Sequence, residues 1–211
     1  MGTKLLIFGG SGHAKDVIHI AKTVGYEQFE IVTTNGSCEV NGYTAVKESA
    51  FDPSNYEGWD FFAAIGNNSH RQRFLEQYSA LNFVNIISPT AEISESVDIG
   101  RGCYIGAFAY IGPDTTLADG SIINTHSILG HDSQLGAYSQ IGPRVCVSGH
   151  VEIGKSVFIG AGALFNNGSP AEPIIIPDHV NIGMGCHVTA SVKHEGLQLI
   201  PKPNHIGVKP E

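Results

Sequence analysis

Hydrophobic and polar positions follow two different rhythms along the chain, and the change comes near residue 85. In the first part, three apolar runs have the length of buried strands: KLLIFG (4–9), FEIVTT (29–34) and DFFAAIG (60–66). The stretches AKDVIHIAKTVGY (14–26) and NSHRQRFLEQYSAL (68–81) space their apolar residues as a helix does. Strands that alternate with helices predict a small α/β domain of the Rossmann-like βαβ type, which we place at residues 1–84.

The second rhythm has a period of six residues. A large apolar residue recurs at every sixth position from Ile87 to Phe165, and a small or β-branched residue follows it by four positions. No α-helix has this period. A hexapeptide repeat is typical of a parallel β-helix, in which three hexads form one triangular coil and residues three hexads apart stack. We therefore predict a parallel β-helix over residues 85–211, with the large side chains inside and the small ones at the corners.

The period is interrupted once. After Phe165 the next large apolar residue in register is Ile176, so about five residues are inserted within NNGSPAEP (166–173). A coil has no room for them inside, and we expect a loop that projects from the surface. The loop either folds over a groove or a neighbouring subunit, or is a tolerated surface insertion. The proline-rich IPKPNHIGVKPE (200–211) is expected to lie over the last coil or a neighbour.

Composition and charge narrow the classes of function. The chain has 12 basic and 20 acidic residues, and its net charge of −8 argues against nucleic acid as the main partner, which needs a basic face. We find no apolar run long enough for a membrane span and no signal-peptide pattern. The four cysteines form no CxxC pair, so we expect reduced thiols in a cytoplasmic protein.

One stretch of the repeat, INTHSILGHDSQLG (123–136), carries candidate chemistry. His131 is adjacent to Asp132, and His126 precedes it by five positions. Because His131 comes two places after the inward Leu129, its side chain is expected to point outward near a corner. An outward imidazole can act as a general base, and a neighbouring carboxylate can fix its tautomer and stabilise its protonated form.

Several motifs together resemble the PglD/NeuD-like family of bacterial sugar acetyltransferases. They cover nearly the whole chain: FGGSGHAKDV (8–17), AIGNNSHR (64–71), ISPTAEIS (87–94), IIN (122–124), GHD (130–132), SGHVEIG (148–154) and IGAGA (159–163). The resemblance implies that the β-helix is left-handed and that the α/β domain binds a nucleotide-activated sugar. It also implies a homotrimer with active sites at the subunit interfaces, acting in the biosynthesis of surface-glycan or glycoprotein sugars.

The resemblance also implies roles for individual residues. His131 would take a proton from the 4-amino group of a nucleotide-linked sugar as it attacks acetyl-CoA, and Asp132 would support His131. Acetyl-CoA would bind in a groove between two β-helices, near four residues: Gln140, Gly149, Ala161 and Gly183. The nucleotide sugar would contact seven residues: Ser11, Gly12, His13, Thr33, Thr34, Gly66 and Asn124. No metal is expected.

The chain departs from the family pattern at two places. Many relatives have a second histidine nine positions after the base, where this chain has Gln140, whose amide can still donate a hydrogen bond. Relatives that bind UDP-sugars often have acidic residues after the second strand, where this chain has Thr33 and Thr34. The first turn, Gly10 to Lys15, is not G-x-G-x-x-G, which points away from an NAD site.

Three alternatives remain open. The same base could acetylate a hydroxyl of sialic acid or of another sugar. The spacing of His126 and His131 also occurs in metal enzymes of the γ-carbonic-anhydrase type, but these need a third histidine about two coils earlier, and none is present there. A non-catalytic protein that binds nucleotide sugars is the third alternative. The other histidines are predicted at turns or on the surface without a role: His70, His150, His179, His187, His194 and His205.

Overall fold

The computed structural model describes residues 3–36 and 38–200. The first domain consists of β1 (Thr3–Phe8), α1 (Gly12–Thr23), β2 (Tyr26–Thr33), β3 (Glu39–Val40), β4 (Tyr43–Thr44), β5 (Val46–Lys47), β6 (Asp60–Ala63) and α2 (Asn68–Gln77). Two 3₁₀ turns, Glu48–Ala50 and Pro53–Tyr56, precede β6. The parallel sheet has the order β5-β2-β1-β6, and β3 and β4 form a small antiparallel pair.

The apolar runs of the first domain form its core. Leu5 to Phe8 of β1 are all fully buried, as expected for a central parallel strand covered on both faces. The first predicted helix ends at Thr23, just before Gly25, the residue that the sequence favours as its stop and that adopts a φ of 100°. At the start of α2, the side chain of Asn67 accepts a hydrogen bond from the backbone N–H of His70, which caps the helix.

Residues after the first domain form the predicted left-handed parallel β-helix of three sheets. The covered sheet, which packs on the first domain, contains β7 (Ile86–Ile87), β10 (Tyr104–Ile105), β13 (Ile122–Ile123), β16 (Gln140–Ile141), β19 (Phe158–Ile159), β22 (Asn181–Ile182) and β24 (Gln198–Leu199). The apolar sheet contains β8 (Glu92–Ile93), β11 (Tyr110–Ile111), β14 (Ile128–Leu129), β17 (Cys146–Val147), β20 (Leu164–Phe165) and β23 (His187–Val188). The polar sheet contains β9 (Asp98–Ile99), β12 (Thr116–Leu117), β15 (Gln134–Leu135), β18 (Val151–Ile153) and β21 (Ile174–Ile176). The predicted fold class is thus confirmed.

The hexapeptide positions explain the stacking of coils. The large apolar residues fill the interior, and buried hydroxyls at the small positions link one coil to the next: Ser127 Oγ donates to the carbonyl of Gly142 at 2.7 Å and accepts from the N–H of Val145. Glycine follows the large residue because a neighbouring coil lies very close. A methyl group on Gly112 would come within 2.7 Å of the backbone nitrogen of His131.

Two edges of the prism matter for function. The turns between the apolar and polar sheets, which include residues 130–133 and 148–150, form what we call the His131 edge. The turns between the covered and apolar sheets, which include residues 124–127 and 160–163, form the His126 edge. Both edges border the apolar sheet.

The inserted loop, residues 166–173, lies on the His131 edge, between β20 and β21. Its size follows from the strand register. Ile123 pairs with Ile141, three hexads on, whereas Ile153 pairs with Ile176, which is five residues further along than that spacing requires. The loop closes on itself through two backbone hydrogen bonds between Ser169 and Glu172, of 3.0 and 3.1 Å. The predicted proline-rich tail, apart from Ile200, lies outside the described residues.

A buried arginine joins the two domains. Arg71 of α2 is fully buried, and its guanidinium donates to the backbone carbonyls of Ile65, Gly120 and Tyr138 at 2.6–2.7 Å. Burial lowers its pKa to about 10. These bonds fix the loop after β6 to two coils of the β-helix.

In the described part of the chain, neither helix has the length and apolar character that crossing a bilayer requires.

Candidate active site

His131 and Asp132 form a hydrogen-bonded pair on the His131 edge. Nδ1 of His131 lies 2.7 Å from Oδ2 of Asp132, and the two side chains are 49% and 45% exposed. Asp132 adopts a left-handed backbone with a φ of 54°, a conformation in which aspartate, asparagine and histidine are enriched. Because the carboxylate engages Nδ1, the other ring nitrogen, Nε2, is free to take a proton.

His150 is a third member of this cluster, although its place in the sequence predicted only a turn or surface position without a role. Its Nε2 lies 3.7 Å from the same Asp132 oxygen, and its ring meets the His131 ring edge-on with centroids 5.1 Å apart. His150 is three hexads after Asp132 and adopts the same left-handed backbone, with a φ of 55°. The stacking rule of the repeat could have identified it, because residues at this spacing occupy the same corner of neighbouring coils.

Gly149 lies beneath the His131 ring. A methyl group on Gly149 would come within 2.5 Å of Cε1 and Nε2 of His131, so no larger residue fits without moving the imidazole. Both backbone groups of Gly149 contact the inserted loop: its N–H donates to Oδ1 of Asn167 at 2.8 Å, and its carbonyl accepts from the N–H of Gly168 at 3.0 Å. The backbone expected to hold acetyl-CoA is therefore already paired within the chain.

The cluster could also hold a metal ion. The donor atoms of His131, Asp132 and His150 lie within 4.8 Å of one another, and within residues 3–36 and 38–200 no other group of three such side chains is this close. His126 is not part of the cluster. It lies on the other edge, where its ring stacks on Phe108 with centroids 4.9 Å apart. The spacing considered for a carbonic-anhydrase site thus places the two histidines on different edges.

A cavity of about 580 Å³ opens at the carboxyl ends of β1, β2 and β6. It brings together four of the residues predicted to bind the nucleotide sugar: Ser11, Thr33, Thr34 and Gly66. Ligands of open α/β sheets bind at this end of the strands. Asn67, His70 and Arg73 of the following turn and α2 also line it, and the sequence analysis named none of these as ligands. Their position at the cap and in the first two turns of a helix that starts at the cavity is the signal that could have found them.

A carboxylate stands near this cavity although none follows β2 in the sequence. Glu48 Oε2 lies 3.3 Å from Nη2 of Arg73 and accepts a longer hydrogen bond, of 3.4 Å, from Oγ1 of Thr34. The side chain of Glu48 comes from the 3₁₀ turn after β5 and is largely buried. A carboxylate therefore reaches the end of β2 from another part of the chain.

Gly12 and His13 do not line the cavity. Gly12 is the exposed first residue of α1, and His13 points to the covered sheet, where its ring meets that of Tyr104 edge-on at 4.7 Å. Burial, together with the nearby Arg71, lowers the pKa of His13 to about 4. Among the described residues, Nε2 of His13 has no hydrogen-bond partner.

A second cavity, of about 410 Å³, continues from the first one across the junction of the domains. The two cavities share Gly66 and Asn67, and the second reaches Phe158 and Asn181 of the covered sheet. Gln140 occupies the same sheet beside Phe158, and its Oε1 is buried without a partner in the described part of the chain. A path therefore leads from the first cavity towards the covered sheet.

Four of the residues predicted to bind acetyl-CoA or the sugar lie on the two edges. Gly149 lies with His131, whereas Asn124, Ala161 and Gly183 lie on the His126 edge. A groove of about 450 Å³ with mainly apolar walls runs along that edge, past Ala161 and Met184. The two edges are separated by the apolar sheet, so a single chain does not bring these two sets of residues together.

Comparison with known proteins adds independent information. The model of the PglD N-terminal domain matches residues 4–78, and the model of the bacterial transferase hexapeptide (six repeats) matches residues 96–131. No curated protein matches the chain.

Solved structures resemble the chain over almost its whole length. A mutant of perosamine N-acetyltransferase from Caulobacter crescentus, in complex with CoA and GDP-perosamine, is 31% identical with a TM-score of 0.83, covering 92% of this chain and 90% of that one. The acetyltransferase domain of PglB from Neisseria gonorrhoeae is 29% identical with a TM-score of 0.81, covering 92% and 95%. WeeI from Acinetobacter baumannii, at 24% identity and a TM-score of 0.84, shares the fold.

Proposed function

Because the chain belongs to the PglD/NeuD-like family of hexapeptide-repeat sugar acetyltransferases, we propose that it transfers the acetyl group of acetyl-CoA to the 4-amino group of a nucleotide-linked amino-deoxy sugar. The observation that carries this proposal is the exposed His131, whose Nδ1 is held by Asp132 while Nε2 stays free. The relative from Caulobacter crescentus, bound to CoA and GDP-perosamine, supports the substrate class.

The reaction follows from this geometry. The amine nitrogen attacks the thioester carbonyl, Nε2 of His131 takes the proton that the nitrogen loses, and the C–S bond breaks as the tetrahedral intermediate collapses. The departing sulfur takes this proton from the His131 imidazolium and leaves as CoA thiol, which restores the neutral base. Asp132 stabilises the imidazolium that forms in between, because its carboxylate is 2.7 Å from Nδ1.

The nucleotide part of the acceptor would occupy the 580 Å³ cavity. The turn from Gly9 to Ser11 precedes the N-terminus of α1, where backbone N–H groups and the helix dipole favour a diphosphate. Arg73, whose guanidinium is paired with Glu48, also lines this cavity. The sugar would then extend past Gly66 into the second cavity, towards the covered sheet.

The active site would be completed by a neighbouring copy in a homotrimer. The apolar sheet carries exposed or half-exposed outward residues: Tyr110, Ile128, Cys146 and Leu164. The corresponding positions of the polar sheet are mostly hydrophilic. If three apolar sheets face a common axis, the His131 edge of one copy meets the His126 edge of the next. Acetyl-CoA would lie in the groove between them. We propose a cytoplasmic location, which provides acetyl-CoA and fits the free cysteines.

The test is a panel of amino-sugar nucleotides incubated with acetyl-CoA, with released thiol as the readout and mass spectrometry of the product. We expect turnover with a GDP-, UDP- or dTDP-linked 4-amino sugar and an acetamide product. Turnover with hydroxyl acceptors alone would replace this function by O-acetylation. Absence of turnover with every acceptor would favour a non-catalytic binding protein. Sedimentation of the wild-type chain as a monomer would contradict the trimer.

A further inference from the structure

The inserted loop is part of the active-site surroundings. It replaces the turn that follows the His131 and Gly149 turns on the same edge, and its second residue, Asn167, is three hexads after Gly149. Asn167 Oδ1 accepts a hydrogen bond from the N–H of Gly149 at 2.8 Å. The loop therefore touches the backbone on which the imidazole of the proposed base lies.

Two polar atoms face one small space above Gly149. A methyl group placed on Gly149 would lie 2.5 Å from Nε2 of His131 and 3.0 Å from Oδ1 of Asn167. Nε2 is the nitrogen that takes the proton in the proposed reaction. Nε2 of His131 and Oδ1 of Asn167 are therefore at most 5.5 Å apart, close enough for one substrate to contact both atoms.

The carboxamide of Asn167 retains hydrogen-bonding capacity. Its oxygen has two lone pairs and uses one for Gly149, while its Nδ2 donates to the carbonyl of Gly168 at 2.6 Å. The residue is exposed, so a ligand can reach it. The remaining lone pair suits an N–H donor.

We propose that Asn167 is a substrate-contacting residue, whose carboxamide oxygen accepts a hydrogen bond from an N–H group that enters beside Nε2 of His131. This inference rests on the proposed function. Two substrates carry such a group: the acceptor amine, which keeps one N–H after it loses a proton, and the pantetheine arm of acetyl-CoA, which contains amides. The kinetic constants for each substrate distinguish the two sources.

The neighbouring Asn166 provides a matched control. Its Oδ1 lies 2.8 Å from Nε2 of His187, on the apolar sheet and away from Gly149. The two asparagines are thus adjacent in the same loop and both exposed, but Asn167 is the one whose carboxamide lies near Gly149 and the His131 ring.

The experiment compares wild type, Asn167→Ala, Asn167→Asp and Asn166→Ala in the thiol-release assay, with the melting temperature as a check on folding. We expect Asn167→Ala to lower kcat/KM by about threefold to tenfold, the effect of one lost hydrogen bond, and Asn166→Ala to equal wild type. Asn167→Asp keeps an acceptor oxygen and should lose less than Asn167→Ala. A higher KM for acetyl-CoA would identify the pantetheine amide, and a change confined to the amino sugar or to kcat would identify the amine.

Equal constants for Asn167→Ala and Asn166→Ala would overturn this inference alone, provided that the wild-type enzyme turns over. Wild-type protein that acetylates no amino sugar would overturn the proposed function and this inference together.

Discussion

His131 is part of the β-helix and His13 packs on it from the first domain, and the two histidines have opposite environments. His131 is half-exposed, and a carboxylate oxygen lies 2.7 Å from its Nδ1. His13 packs edge-on against Tyr104 between the two domains, and its Nε2 is buried without a partner among the described residues. The same side chain is thus prepared for proton transfer in one place and held neutral in the other, because partners and burial differ.

The largest loss of activity is expected when the exposed imidazole of His131 is removed. We expect His131→Ala to lower kcat by roughly 10²–10⁴-fold, the usual contribution of a general base, without a loss of stability. Steady-state kinetics with acetyl-CoA and the preferred amino sugar measure the effect. His126→Ala, on the other edge, should lose far less, and in KM rather than kcat. Unchanged turnover in His131→Ala would show that the amine reacts without this base.

The buried histidine predicts a pH dependence of stability. Its pKa is about 4 in the folded chain and near 6.5 when unfolded, so the unfolded state binds the proton more tightly. Neutral His13 therefore contributes fully to the unfolding free energy above pH 6.5, the pKa of the unfolded state. This contribution, at most about 3 kcal/mol, is lost as the pH falls towards 4.

His13→Phe keeps a ring against Tyr104 and removes this titration. Urea unfolding of both proteins at pH 7 and pH 4.5 should therefore show a smaller loss of unfolding free energy for the variant. The same loss in both proteins would mean that His13 is accessible to protons in the folded state.

A third change moves the base without removing it. Gly149→Ala places a methyl group 2.5 Å from Nε2 of His131, so the ring must shift. We expect kcat to fall by roughly 10- to 100-fold, because a misplacement of about 1 Å is costly in catalysis. Measuring kcat together with the melting temperature separates this effect from a folding defect. Wild-type kcat would indicate that the ring has another productive position.

The sequence predicted the β-helix well because the repeat constrains every coil in the same way. The large residue at each sixth position must point into the interior, which determines the direction of the other side chains. The inserted residues were visible as a break between Phe165 and Ile176. The same regularity placed His131 outward at a corner. Other helix ends were less predictable, since α1 begins at Gly12 rather than Ala14 and α2 ends at Gln77 rather than Leu81.

Contacts between distant parts of the chain were not visible in the sequence. Glu48 approaches Thr34 and Arg73 from a short turn after β5, and no periodicity indicates this. The turn motif suggested that His13 faces the ligand, whereas the docking of α1 on the covered sheet directs its ring to Tyr104. Such features depend on how the domains pack, which a repeat pattern does not determine.

The smallest effect is expected at His150, which reaches the base only through Asp132. Its Nε2 is 3.7 Å from the carboxylate oxygen that binds His131, so we expect it to restrict the orientation of that carboxylate. His150→Asn should lower kcat by about threefold to fivefold and leave both KM values unchanged, as for coupled neighbours. In an Asp132→Asn background, which by itself should lose less than His131→Ala, the same change should have no further effect. If the kcat losses of the two single variants multiply in the double variant, His150 does not act through Asp132. The functional cluster would then be the pair of His131 and Asp132.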